Sequence, residues 1–149
     1  MIRRDEYLEK IKRSMWDNNV KVITGIRRCG KSTLLFDLFG SYLTNSLKID
    51  ADHLIKIKFD EDTFFSLRNP ILLSKYFKKV IVNDNEKYYV FIDEVQLSKP
   101  RTDRNSGVKI SIFDVLNGLN NRKNVDVQVL WRQAALLYRY MKMQSEILI

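Results

Sequence analysis

Val20-Lys21-Val22-Ile23-Thr24, running straight into Gly25-Ile26-Arg27-Arg28-Cys29-Gly30-Lys31-Ser32-Thr33, decides how this sequence of 149 residues folds. The first five residues are a β-branched run bounded by Asn18-Asn19 and by glycine, the pattern of a short strand. The stretch from Gly25 to Ser32 satisfies G-x-x-x-x-G-K-[ST] at every fixed position. Backbone N–H groups converging in a tight loop can hold a triphosphate, and Gly25 and Gly30 allow torsions and a close approach that a Cβ would block. A helix starting near Gly30 turns its unpaired N–H groups and positive dipole end toward the same point. Lys31 can reach β- and γ-phosphate oxygens, and the Ser32 hydroxyl can join a magnesium shell.

With glycine near 7% of residues, a chance match in a chain this long is on the order of one in 200, and the strand before and helix after lower that further. Gly25, Ile26, Arg27, Arg28, Cys29, Gly30, Lys31, Ser32 and Thr33 are therefore the candidate nucleotide-binding residues. Lys31 is also a catalytic candidate and Ser32 a metal ligand. Cys29 sits where a helix N-terminus and Lys31 favour thiolate, although a position that merely tolerates cysteine accounts for it as well.

About 60 residues on, Tyr88-Tyr89-Val90-Phe91-Ile92-Asp93-Glu94 is an apolar strand ending in two carboxylates. Such a strand is central in a parallel sheet, and it presents its acids at the carboxyl edge where α/β sheets bind ligands. Asp93 is assigned to a magnesium ion and Glu94 to the water that attacks the γ-phosphate. Small-molecule kinases rarely need an activating glutamate at this place, and the chain shows no acceptor site. No Asn-Lys-x-Asp guanine motif occurs, so ATP is favoured over GTP.

Outward from these motifs, the spacing of Tyr7, Leu8, Ile11 and Met15 predicts a helix over Arg3 to Asn18. A helix after the loop carries Leu34, Leu35, Leu38, Phe39 and Tyr42 on one face to about Leu43. Leu54 to Phe59 reads as a strand followed by Asp60-Glu61-Asp62, and Pro70 opens a helix through Ile81. Ser98 to Lys109 is a polar loop, Ile112 to Leu119 a short helix and Val125 to Leu130 a fourth strand, while the tail from Gln133 to Ile149 reads as helix. Strands alternating with helices predict one α/β domain with a mostly parallel sheet and right-handed crossovers.

Composition agrees with a globular protein: 45% hydrophobic and 30% charged residues. No apolar stretch approaches the roughly 20 residues of a membrane span. Cys29 is the single cysteine, which with the absence of an apolar leader segment predicts a reducing, cytoplasmic setting. The net charge of +8 suits nucleotide phosphates, a nucleic acid or an ordinary solvated surface alike.

Together the blocks KVITGIRRCGKSTLL, IKFDED, YYVFIDEVQ, FDVLNGL and NVDV resemble the predicted AAA-superfamily ATPases of bacteria and archaea, in which an N-terminal P-loop domain precedes a domain described as nuclease-like or DNA-binding. The resemblance runs from about Arg3 to Val127, and Arg27-Arg28, Asp60-Glu61 and the Asp-Glu-Val-Gln run at Asp93 to Gln96 carry it most specifically. It implies a P-loop NTPase fold of three α/β/α layers with strand order 5-1-4-3-2. It also implies binding of ATP and Mg2+, hydrolysis as the motor or switch of a larger protein, and DNA contact through a C-terminal domain beyond this chain. Val125 to Leu130 then becomes the sensor strand, which relatives end with Thr-Gly-Ser-Asn-Ser. Gln128-Val129-Leu130-Trp131-Arg132-Gln133 departs from that pattern, as a shifted reading frame between about Gln128 and Tyr140 would produce. On this reading residues 1–149 are the N-terminal part of an AAA-type domain, divergent over 128–149 and truncated before the fifth strand. An open edge beside the loop strand follows, and with it self-association into a homo-oligomer or modest stability.

A nucleotide-binding or DNA-associated regulatory module without useful turnover is the alternative to an ATPase, favoured by the missing sensor cluster. Lys99-Pro100-Arg101-Thr102-Asp103-Arg104 is a basic loop open to either DNA or solvent. His53 reads as a loop residue, and Trp16 and Trp131 as packing residues.

Overall fold

Continuous apolar strands must be covered on both faces, and here helices cover them. The computed structural model describes residues 4–24, 30–131 and 145–148. It contains helix α1 (Arg4–Arg13), strand β1 (Lys21–Thr24), a helix wound with π-type turns over Thr33–Phe39 and Tyr42–Ser46, and strand β2 (Leu54–Lys58). Helix α2 (Pro70–Val80), strand β3 (Tyr88–Asp93), the short strands β4 (Arg101–Thr102) and β5 (Lys109–Ile110), helix α3 (Ile112–Asn120), β6 (Val125–Trp131) and β7 (Ser145–Leu148) follow. Five strands form one sheet in the order β2-β3-β6-β1-β7, and every neighbouring pair is parallel. Counted within this sheet the order is 5-1-4-3-2.

The tail corrects two expectations. Residues 145–148 are strand rather than helix, and they pair with β1 from Lys21↔Ser145 to Thr24↔Leu148. The fifth position is therefore filled, and the open edge from which self-association and modest stability were reasoned is absent. Lys21 to Thr24 are fully buried, so their main-chain groups on that side need a partner. That need outweighs the local preference of a four-residue segment. The remainder of the tail, 132–144 and Ile149, lies outside the described residues.

Helices α2 and α3 cover one face, where Leu73, Phe77 and Leu116 pack on Val22, Ile57, Val90, Val127 and Val129. On the other face, Ile11 of α1 and Leu35, Phe39 and Leu43 of the π-wound helix meet Ile23, Phe91 and Leu130. Spacings of four residues between Leu35, Phe39 and Leu43 keep them on the sheet side even with wider turns, shown by the Leu47 N–H reaching back to the Tyr42 carbonyl at 3.2 Å. Phe91 fixes this layer, its ring 5.8 Å from Phe36 and 5.6 Å from Phe39. Truncating it to alanine would cost about 3–5 kcal/mol.

Local signals set the helix starts. Asn69 accepts from the Ile71 N–H ahead of Pro70 at the first turn. Ser111 and Asp114 form a reciprocal capping box on α3. Two irregular stretches contain more structure than expected: Asp62–Arg68 is a 3-10 helix, and β4 pairs antiparallel with β5 across the polar stretch, Arg101 opposite Ile110 and Thr102 opposite Lys109.

Candidate functional site

Parallel strands bring their carboxyl ends to one edge, and here that edge gathers the ends of β1 and β3. Thr24, buried at the end of β1, leads into Gly25, Ile26, Arg27, Arg28 and Cys29, which lie outside the described residues. Description resumes at Gly30, whose φ of +82° is the left-handed region that a side chain would strain. The Gly30 carbonyl accepts from the Leu34 N–H at 2.9 Å, so the helix begins where the motif requires. Lys31, Ser32 and Thr33 are half-buried on its first turn.

Strand β3 delivers the partner. Asp93 is its last residue, and the Ser32 hydroxyl donates to Asp93 Oδ2 at 3.2 Å across 61 residues of chain. Burial holds the Asp93 carboxyl above its usual range, and the neighbouring Glu94 charge pushes the same way. The Ser32 hydrogen bond pulls it down, the exposed Asp60 raises it further, and the Glu94 backbone N–H lowers it. The Phe59 N–H bonds the Asp93 carbonyl at 3.2 Å, tying the acidic strand end to the end of β2.

Glu94 leaves the strand with φ 57° and ψ 45°, a left-handed conformation uncommon for a residue with a side chain. Its carboxylate accepts from the Gln96 side-chain amide. The following turn is closed by the Leu97 N–H on the Glu94 carbonyl at 3.0 Å. Gln96 was visible in the sequence only as part of a family-like run. Its contact depends on that turn.

Elsewhere, the basic Lys99–Arg104 segment borders a groove of about 410 Å³ at the same edge, shared with the exposed Phe65 and Leu72. Gln128 lies fully buried and away from the carboxyl edge, its amide donating to Asp126 Oδ2 at 2.8 Å. Trp131 is buried and stacked on Phe113 with ring centroids 5.3 Å apart. Trp16 packs edge-on against Tyr89 and donates to its hydroxyl at 3.2 Å. His53 sits beside Glu86 and stacks on Tyr88.

Sequence reasoning missed one buried centre. Lys21 of β1 and Asp126 of β6, 0% and 1% exposed, form an ion pair inside the sheet layer. Asp126 also accepts from the Trp16 N–H at 3.3 Å, and Lys21 bonds Asp17 at 3.3 Å. Burial pushes the Asp126 carboxyl up, against the opposing pull of Lys21, Gln128 and Trp16. The signal was present as opposite charges inside Val20-Lys21-Val22 and Val125-Asp126-Val127, each flanked by β-branched residues.

Among the described residues no helix is long and apolar enough to cross a membrane. A protein-family model described as an AAA domain matches residues 17–130. An uncharacterized protein of Haemophilus influenzae is 28% identical over 96 residues, covering 64% of this chain. The chain spans only 24% of that relative's length. The fold is similar to that in the structure of C. elegans PCH-2, with a TM-score of 0.53 and 14% identity, over 97% of this chain and 41% of that one. The family match covers both β1, which leads into Gly25, and the acidic end of β3. This chain belongs to the AAA domain family, as a nucleotide-binding module of the ATPase type.

Proposed function

We propose that the module binds ATP with Mg2+ at residues 25–33 and hydrolyses it, as the motor or switch part of a larger protein. The observation that carries this reading is the Ser32–Asp93 hydrogen bond, which joins the first turn after the phosphate loop to the acidic end of β3. Magnesium takes hard oxygen donors at 2.0–2.1 Å in octahedral geometry, so adjacent ligands lie about 3 Å apart. Ser32 Oγ and Asp93 Oδ2, 3.2 Å apart, are hard oxygen donors that would hold the ion, Ser32 directly and Asp93 directly or through a water. A bound magnesium would neutralise charge on the phosphate oxygens.

The chain's own residues supply the rest. Lys31 holds the β- and γ-phosphates, and the loop N–H groups fix their orientation. Glu94 takes a proton from water as the water oxygen bonds to the γ-phosphorus and the bond to the ADP oxygen breaks. Glu94→Gln keeps the shape and removes the base. It should leave nucleotide affinity within about twofold and reduce phosphate release by about 10²–10⁴-fold. Unchanged release in that variant would overturn the assignment of Glu94.

One observation favours a second reading, nucleotide binding without turnover. The end of β6 presents the stacked Trp131 instead of a polar cluster, and Gln128 is committed to Asp126. Nucleotide binding by the intact protein with no phosphate release in the wild type would select this reading.

A further inference from the structure

We propose that Gln96 is the positioning residue for Glu94, holding its carboxylate in one rotamer at the acidic end of β3. This inference rests on the reading of Glu94 as the base. A glutamate side chain has three rotatable bonds, and holding it in one rotamer carries an entropic cost. At the end of β3 the fold meets that cost by local construction. The backbone of Glu94 is set in the left-handed region, which turns the next three residues into the 3-10 helix Val95–Leu97. That turn carries Gln96 back over Glu94, and the Gln96 amide nitrogen donates to Glu94 Oε2.

The turn itself is anchored on both sides. Val95 is fully buried in the core beneath the α2–α3 face. Ser98 donates its hydroxyl to the Arg68 carbonyl at 2.6 Å, the Arg68 guanidinium donates to the Phe59 carbonyl at 2.7 Å, and the Phe59 N–H returns to the Asp93 carbonyl. The circuit closes on the residue next to Glu94. Gln96 therefore stands on a braced platform rather than a free loop, which is what a group that orients another must have. Asparagine would be too short to span the same turn, and glutamate would set two carboxylates face to face.

The test uses three variants in the intact protein, with ATP affinity read by displacement of a fluorescent nucleotide and turnover by phosphate release. Gln96→Ala is expected to lower kcat about 10- to 100-fold while KM and ATP affinity stay within about twofold. Gln96→Glu removes the donor without changing shape. It should lose as much kcat as the alanine variant at unchanged ATP affinity, because shape without the amide donor does not hold Glu94. A readout independent of activity is the Gln96 side-chain amide resonance in 15N-labelled protein. It should shift in Glu94→Gln, where the acceptor changes from carboxylate to amide. Glu94→Gln is also the control: if it abolishes turnover while Gln96→Ala and Gln96→Glu keep wild-type kcat, the positioning role is overturned and the base assignment survives. If Glu94→Gln turns over normally, the base assignment fails, and the positioning role with it.

Discussion

Lys21→Met is the substitution that most severely tests the packing described here. It keeps most of the volume of the side chain but deletes the ammonium group that pairs with Asp126 between β1 and β6. Both side chains are at most 1% exposed, so solvent cannot take over the role of the missing partner. Breaking a buried pair from one side leaves an uncompensated charge and costs about 3–5 kcal/mol. For a domain of this size 1 kcal/mol shifts the melting temperature by about 2–4 °C, so a loss on the order of 10–15 °C is expected. The pH dependence has a definite sign. Burial raises the folded-state pKa of Asp126, so its contribution is fully present below the unfolded carboxylate range and lost as pH rises through the folded value. Removing Lys21 removes the largest opposing pull, so the deficit of Lys21→Met should be greatest above neutral pH and should shrink on acidification toward the unfolded carboxylate range. Urea unfolding of both proteins across that range reads the difference directly. A deficit below about 1 kcal/mol, or one independent of pH, would refute the claim that this pair is buried and ionised.

Two further outcomes follow from the same structure. Asp93→Asn removes a carboxylate whose ionised form burial and Glu94 both disfavour, so the nucleotide-free protein should melt at a higher temperature at neutral pH, with the gain vanishing as pH falls below the unfolded carboxylate range. The same variant should lose the extra stabilisation that magnesium adds to ATP, checked by thermal shift with and without the metal. Deleting residues 145–149 would strip β1 of its outer neighbour, and size-exclusion chromatography should then show concentration-dependent association, whereas a persistent monomer would contradict the role of β7.

The meeting of Ser32 and Asp93 at the carboxyl edge was legible because its signals are local. A phosphate-loop motif between strand and helix, and two acids after a fully apolar strand, are each contiguous in sequence, and the Ser32–Asp93 contact follows once both strands share a parallel sheet. The helix caps at Asn69 and Ser111 are local in the same way, although only Pro70 drew attention to the first. What stayed hidden depends on partners distant in sequence. Four residues at Ser145–Leu148 carry too little periodicity to separate strand from helix, and pairing with β1 decides the matter. The Lys21–Asp126 pair requires knowing that Lys21 lies level with Gln128 on the adjacent strand, a register no single segment encodes. Gln96 became meaningful only when the left-handed turn at Glu94 folded it back.

The most direct test of nucleotide binding at this loop is the equilibrium affinity for ATP with magnesium, measured by titration calorimetry on the wild type and on Lys31→Ala. Charge-assisted bonds from one lysine to phosphate contribute about 1.5–3 kcal/mol, so affinity should fall about 10- to 100-fold while the melting temperature without nucleotide stays near that of the wild type. Equal affinity in the two proteins would contradict the assignment of residues 25–33 as the phosphate-binding loop.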